Sequence, residues 1–267
     1  MRASAPAKIN LGLVVGPLRA DGKHELLTVY QRVGIADRID VEPAERLTVE
    51  GFPEDTLVRR ALELLAERTD TEPRWRVRIE KRLPVAAGIG GGSSDAATAL
   101  RLANEHLDGE QLHALAAQLG ADVPFFLREG PQLGSGDGTT LDPLDLPQDY
   151  WIVLALPHDS RKESTAAVYR AFDDRDGAQG WEDRAARFRA AVENVRRPRD
   201  LASLPPNDLA SSPLTEQLKG LGAFHADVSG AGPSVYGLFH HRAHAERAEH
   251  ALKRAARTWL TAPAWYG

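Results

Sequence analysis

Pro84-Val85-Ala86-Ala87-Gly88-Ile89-Gly90-Gly91-Gly92-Ser93-Ser94-Asp95 carries more information than any other stretch of this chain. Just upstream, Trp75–Lys81 alternates. Trp75, Val77 and Ile79 fall on one face and Arg76, Arg78 and Glu80 on the other, the pattern of a half-buried strand. Downstream, Ala96–His106 has helical spacing, and Ser93 or Ser94 is suited to cap that helix. A glycine-rich turn from strand to helix has two readings. Glycine reaches dihedrals closed to other residues and lets a ligand approach the main chain. A helix N-terminus presents free N–H groups and partial positive charge, so the turn can cradle a polyphosphate. It can equally be a flexible turn with a serine cap, and a lone glycine motif does not separate the two. Other phosphate motifs fit less well. No lysine follows the glycines as in a P-loop, and Ser93 stands where a dinucleotide fingerprint needs a third glycine. The H-R-D and D-F-G sequences of protein kinases are both missing.

Outward from this loop, Ile9–Val15 reads as a strand, with turns at Gly16-Pro17 and Ala20-Asp21-Gly22. Leu26–Ile35 reads as a second strand and Arg38–Val41 as a short third. Leu57–Arg68 carries a helical apolar stripe, and Leu112–Leu119 is a helix closed by Gly120. Gly130–Gly138 reads as loop and Trp151–Leu156 as a buried strand. Ser164–Phe172, Trp181–Asn194 and Leu214–Leu221 read as helices, the first capped by Ser164 or Thr165. Ala226–Ser229 and Ser234–Phe239 are strands around a second glycine loop, and Ala243–Arg257 is a final helix. The polar, proline-bearing stretch Asp142–Asp149 marks a seam, dividing the chain into 1–146 and 147–267.

Composition removes several classes of function. The 267 residues are 42% hydrophobic and 27% charged, as in an ordinary globular protein. No run of about 18 apolar residues is present, and the N-terminus lacks the apolar core of a signal peptide. The formal charge of −5 argues against a nucleic-acid binder, which needs a basic face. With no cysteine, disulfides and thiolate chemistry are excluded, which fits a reducing, cytoplasmic setting. Lysines are scarce, 6 against 27 arginines, so Lys8 stands out in its uncharged surroundings.

The central motif closely resembles that of the GHMP kinases (galactokinase, homoserine kinase, mevalonate kinase and relatives). Two further segments match the family in the same order, Ala5-Pro6-Ala7-Lys8-Ile9-Asn10-Leu11 and Val228-Ser229-Gly230-Ala231-Gly232-Pro233-Ser234-Val235-Tyr236. Arg19-Ala20-Asp21-Gly22-Lys23-His24, Leu119-Gly120-Ala121-Asp122-Val123-Pro124-Phe125-Phe126 and Pro206-Asn207-Asp208-Leu209 narrow the resemblance to one branch. That branch phosphorylates the 2-hydroxyl of a cytidine-diphosphate-linked methylerythritol in non-mevalonate isoprenoid biosynthesis. The resemblance implies an α+β fold of two domains, the first like a ribosomal-protein domain and the second ferredoxin-like, with the site between them. Alternatives are another kinase of the family, such as one acting on homoserine, or a catalytically silent binding protein on the same fold.

The resemblance also implies roles. Pro84 through Ser94 would bind ATP, with Mg²⁺ and Ser94 as a candidate ligand for it. Asp122 would be the general base, although an aspartate between Gly120 and Pro124 also suits a plain turn. Lys8 would be its electrostatic partner, the alternative being a surface lysine on an edge strand. Asn10 points to the same strand face as Lys8 and would contact substrate, unless it is a strand-end turn residue. His24 and Tyr169 would bind the cytosine, the alternatives being a solvated loop histidine and a core tyrosine. Two positions depart from the branch: Lys23 replaces an aromatic residue that stacks on the base, and Thr56 replaces an asparagine near the adenine. The expected form is a monomer or homodimer acting on a small molecule, without nucleic-acid or membrane partners.

Overall fold

A computed structural model describes residues 1–52, 56–160 and 164–265. Two antiparallel strands, β1 (Arg2–Leu18) and β2 (His24–Pro43), run nearly the length of the first sheet and pair along most of it. Beyond β1, β2 pairs through Arg38–Pro43 with β4 (Trp75–Glu80), which carries the short parallel strand β3 (Thr48–Glu50). At its other end, β2 pairs through Leu26–Tyr30 with β5 (Gln132–Gly136), and β5 with β6 (Thr140–Pro143). Helices α1 (Thr56–Arg68), α2 (Gly91–Ala103) and α3 (Gly109–Leu119) cover this sheet. The small side chains Ala96, Ala97, Ala99 and Ala103 are all buried and let α2 lie close to β1 and β2.

The second sheet has 4 antiparallel strands in the order β10-β7-β9-β8, from Ala256–Thr261, Trp151–Pro157, Val235–Phe239 and His225–Val228. Around it lie α5 (Trp181–Glu193), α6 (Pro213–Gly220) and α7 (Arg242–Leu252), while α4 (Thr165–Asp173) packs through Val168 and Phe172 against Leu13, Val15 and Leu26 of the first sheet. The first sheet ends at Pro143 and the second begins at Trp151. The two share a core, in which Ile9, Leu11 and Val29 pack with Leu154, Phe188 and Leu238.

Several expectations are corrected. The second and third strands expected over 26–41 are one strand, because Gly34-Ile35-Ala36-Asp37 continues the ladder through a register shift opposite Pro6 and Ala7. Neither Ser93 nor Ser94 caps α2. The cap is Gly90 in the left-handed region (φ 70°), so the helix begins before either serine. That helix also ends early, at Ala103, where Asn104 Oδ1 accepts from the Leu107 backbone and opens a turn. The stretch 130–138 is not loop throughout, since it contains β5. Gly134 sits there because a Cβ would lie 2.5 Å from the Tyr30 ring. The last helix stops at Leu252, and Ala256–Thr261 forms an edge strand instead. By contrast, Ser164 does cap α4, its Oγ accepting from Ala167 N.

Candidate active site

Strand β1 is buried on both faces, so its alternation assigns residues to two environments. Ala7, Ile9 and Leu11 enter the core, while Lys8 and Asn10 face a cavity of about 470 Å³. A register shift between Asn10 and Leu13 then reverses the parity and keeps Leu13 on the cavity side. The cavity lies between the two glycine loops.

Lys8 is only 3% exposed, so its charge depends on partners. Its Nζ donates to Asn10 Oδ1 at 2.6 Å and lies 3.3 Å from Asp122 Oδ2. Asn10 Nδ2 donates to Thr28 Oγ1 at 2.8 Å, and Thr28 Oγ1 donates to the Gly12 carbonyl at 2.7 Å. This relay fixes the Asn10 amide with its oxygen toward Lys8. Asp122 follows Gly120 in a turn anchored by the buried Val123 and Phe125. Its side chain is 31% exposed and opens to the cavity. Burial, and next the Asp122 carboxylate, push the Tyr30 hydroxyl well above the ordinary tyrosine value, so it remains a neutral donor.

In the first loop, φ is positive at Ala86 (57°), Gly88 (79°) and Gly90 (70°). Left-handed residues at alternate positions are a feature of backbone anion nests, and the loop runs directly into the N-terminus of α2. Of the expected ATP-binding residues, Ala86, Ala87, Gly88, Gly90, Gly91, Gly92 and Ser93 line the cavity. Pro84, Val85, Ile89 and Ser94 do not. Val85 points to solvent and Ile89 into the core, while Ser94 is fully buried, its Oγ without a hydrogen-bond partner among the described residues.

The second loop is held against the first. Ser229 Oγ donates to the Gly88 carbonyl at 3.0 Å and Ser234 N to the Ala87 carbonyl at 3.1 Å. Asn207 Nδ2 donates to the Val228 and Gly230 carbonyls at 3.0 and 2.7 Å. Below the first loop, Lys81 Nζ bridges the buried Asp37 and Asp95 at 2.6 Å each, tying β4, β2 and α2 together.

A second cavity of about 450 Å³ adjoins the first, and Leu26, Ala121, Asp137, Thr165 and Tyr169 line both. His24 opens β2 and is buried. Its Nδ1 lies 2.9 Å from the Gly16 carbonyl, which only accepts, so that nitrogen carries a proton; Nε2 lies 3.3 Å from Asp173 Oδ1. The Tyr169 ring stacks on His24, centroids 5.1 Å apart and 28° between planes, and its edge packs beside Leu13, Val15 and Phe172. Tyr169 is therefore both core residue and cavity wall. Burial, and then Asp122, push its hydroxyl up to about 12. The structure thus gathers Lys8, Asn10, Asp122, Tyr169 and most of the first loop around one cavity, with His24 in the adjoining one. Sequence reasoning missed Thr28, Tyr30, Asp137 and Lys81. The available signals were Thr28, a polar residue at an inward position of an apolar strand, and Lys81, which opens the Lys81-Arg82-Leu83-Pro84 run before the first glycine loop.

Over 276 aligned residues the chain is 41% identical to a 4-diphosphocytidyl-2-C-methyl-D-erythritol kinase of Anaeromyxobacter dehalogenans, covering 95% of this chain and 85% of that protein. The chain belongs to the GHMP kinase family. Residues 56–130 match the family's "GHMP kinases N terminal domain" and residues 203–258 its "GHMP kinases C terminal". A crystal structure of a 4-(cytidine 5'-diphospho)-2C-methyl-D-erythritol kinase, 32% identical, superposes with a TM-score of 0.78 over 98% of this chain and 99% of that one. Homoserine kinase from Cytophaga hutchinsonii, 15% identical, has a TM-score of 0.74 over 100% of this chain and 96% of that one, which speaks for the fold alone. The mixed α+β, two-domain architecture of this GHMP kinase agrees with the expectation from its motifs.

Proposed function

We propose that this GHMP kinase transfers the γ-phosphoryl group of ATP to the 2-hydroxyl of 4-diphosphocytidyl-2-C-methyl-D-erythritol. The observation that carries the reading is the Lys8–Asp122 pair, set where a glycine cradle on one side meets a ring-walled cavity on the other. The triphosphate lies along the cavity-lining part of the loop, Ala86–Gly88 and Gly90–Ser93, its charge met by the N–H groups of the loop and of α2. The cytosine lies in the second cavity beside His24 and Tyr169, and the polyol reaches back to Asp122. The substrate oxygen attacks the γ-phosphorus, the bond from that phosphorus to the bridging oxygen of ADP breaks, and Asp122 receives the hydroxyl proton. In a loose transition state the proton leaves late, and the carboxylate chiefly orients the hydroxyl. Lys8, 3.3 Å from Asp122, stabilises charge on the transferring group. Asn10 holds Lys8 in place.

The donor set fits a magnesium ion carried on the nucleotide. Phosphate oxygens and water would supply most of its ligands. From the protein, Asp122 and Ser93 face the cavity, and the orphaned Ser94 Oγ is a hydroxyl that such an ion would satisfy. The ion neutralises phosphate charge when bound. We place the division between the two halves at 146/147 and the enzyme in the cytoplasm, as a monomer or homodimer acting on free small molecules.

The test is ADP release and product identification with ATP, Mg²⁺ and each of three acceptors: the cytidine compound, free methylerythritol and homoserine. Phosphorylation of the cytidine compound, lost in Asp122→Ala, supports substrate and base together. Turnover of another alcohol alone would keep the family chemistry and overturn the substrate.

A further inference from the structure

The two cavities meet at Asp137, which lines both. Its Oδ1 accepts from Thr139 N at 3.2 Å and Thr139 Oγ1 at 2.6 Å, and its Oδ2 is paired with Lys23 Nζ. Lys23 lines the second cavity and reaches over the seam from the turn between β1 and β2. The backbone of that turn is pinned, with Arg19 N donating to the Lys23 carbonyl at 2.7 Å and Lys23 N to Asp21 Oδ1 at 3.1 Å. The long stem is therefore the part of Lys23 free to move.

On the reading given above, the cytosine and the reacting hydroxyl occupy different cavities, and the diphosphate that joins them must cross this seam. A bare Asp137 carboxylate would repel it. Lys23 now neutralises that carboxylate, but its own side chain is 54% exposed, and an ion pair with so exposed a partner contributes little. Two cations nearby are committed elsewhere: Arg19 lies 3.3 Å from Asp21 and 3.1 Å from Glu25, and Lys8 is held by Asn10 and Asp122. Arg170 is the remaining Lys or Arg on the wall of the second cavity among the described residues.

We propose that Lys23 is the diphosphate-recognising residue of the substrate site, its ammonium bridging Asp137 and the diphosphate as a nucleoside diphosphate ester spans the seam. This rests on the cytidine substrate proposed above. It makes Lys23 a specificity residue that distinguishes nucleoside diphosphates from nucleosides.

The experiment measures equilibrium binding of CDP and of cytidine to the native protein, Lys23→Met, Lys23→Arg and Arg170→Met, beside turnover of the full substrate. Native protein is expected to prefer CDP over cytidine. In Lys23→Met that preference should fall roughly tenfold or more, the scale of one charge-assisted hydrogen bond, with cytidine binding unchanged. KM should rise in parallel while kcat holds, and Lys23→Arg should recover most of the preference. A CDP preference intact in Lys23→Met, or lost in Arg170→Met instead, overturns the proposal while leaving the reaction standing. A native protein that neither binds CDP nor turns over the cytidine compound overturns both.

Discussion

Replacing Gly88 by alanine is expected to push the two glycine loops apart. Gly88 has φ +79°, and a Cβ built on it would lie 2.6 Å from the carbonyl oxygens of both Ser229 and Gly232. A Cβ in the left-handed region costs about 1–2 kcal/mol. The neighbours are backbone atoms, which cannot rotate aside as a flexible side chain would, and overpacking of this kind adds about 1–3 kcal/mol. Together that is about 2–5 kcal/mol, a fall in Tm of roughly 5–20 °C for a chain of this size. Gly92→Ala is the control. Its φ lies outside the left-handed region, nothing stands within 4 Å of its Cβ, and it sits in α2, where alanine is favoured over glycine by about 1 kcal/mol. Gly92→Ala should therefore keep or gain stability, while its methyl on the cavity wall raises KM for ATP. Thermal unfolding and KM for ATP are measured on both variants. Gly88→Ala melting with the native protein and keeping its KM for ATP would refute the idea that contact between the loops shapes the cradle.

The remaining expectations concern charge. Asp122→Asn should lower kcat by about 10²–10⁴ with the fold intact by circular dichroism. Lys8→Met should do likewise, and the double variant should fall well short of the product of the two losses; a fully multiplicative loss would show that they do not act as a unit. Lys81→Met would remove the cation shared by the buried carboxylates of Asp37 and Asp95 at a cost of about 3–5 kcal/mol, read by urea unfolding at neutral pH; a change below about 1 kcal/mol would contradict that. Burial pushes the Asp227 carboxyl up to about 6 and the His225 imidazole down to about 4. The folded state holds the extra proton on Asp227, so that group makes stability fall as pH rises from about 4 to 6, while the unfolded state holds it on His225, so stability rises over about 4 to 6.5. The two oppose each other: in urea unfolding across this range, Asp227→Asn should leave stability climbing with pH and His225→Gln should leave it falling, and equal slopes in both variants would reject the pairing.

Much of the fold was legible because local periodicity coincided with burial. Trp75–Glu80 alternates, and α1 buries Val58, Ala61, Leu62 and Leu65 at helical spacing. Failures arose where a residue's local meaning was overridden from a distance. Gly134 reads as a loop glycine but is a strand residue that admits the Tyr30 ring. Ser93 and Ser94 read as caps, yet Gly90 ends the loop with its own backbone and leaves both hydroxyls inside the helix. The site shows the same division. The cradle is contiguous in sequence and could be read there. The Lys8–Asp122 pair, the Lys81 bridge and the Lys23–Asp137 contact each join residues that only the folded sheet brings together.

The position of the chemistry follows from the way β1 is buried. A lysine with so little exposure is stable as a cation only if oxygen partners replace its water, and those partners come from β1 itself and from the turn after α3. The second glycine loop closes over the same group: a Cβ on Gly230 would stand 3.3 Å from Asn10 Oδ1 and 3.5 Å from Lys8 Nζ. Asn207 holds that loop in place from the far side. The C-terminal half thus reaches the Lys8 environment with the backbone of Gly230 and with the Ser229 hydroxyl, which accepts from Asn10 N at 3.4 Å. Desolvating Lys8 in this way strengthens its pull on Asp122 and on any phosphoryl group beside it, because the same charges interact more strongly away from water. The shared core of the two sheets keeps that enclosure in place before any ligand arrives, so the site can stabilise developing charge with little reorganisation during the reaction.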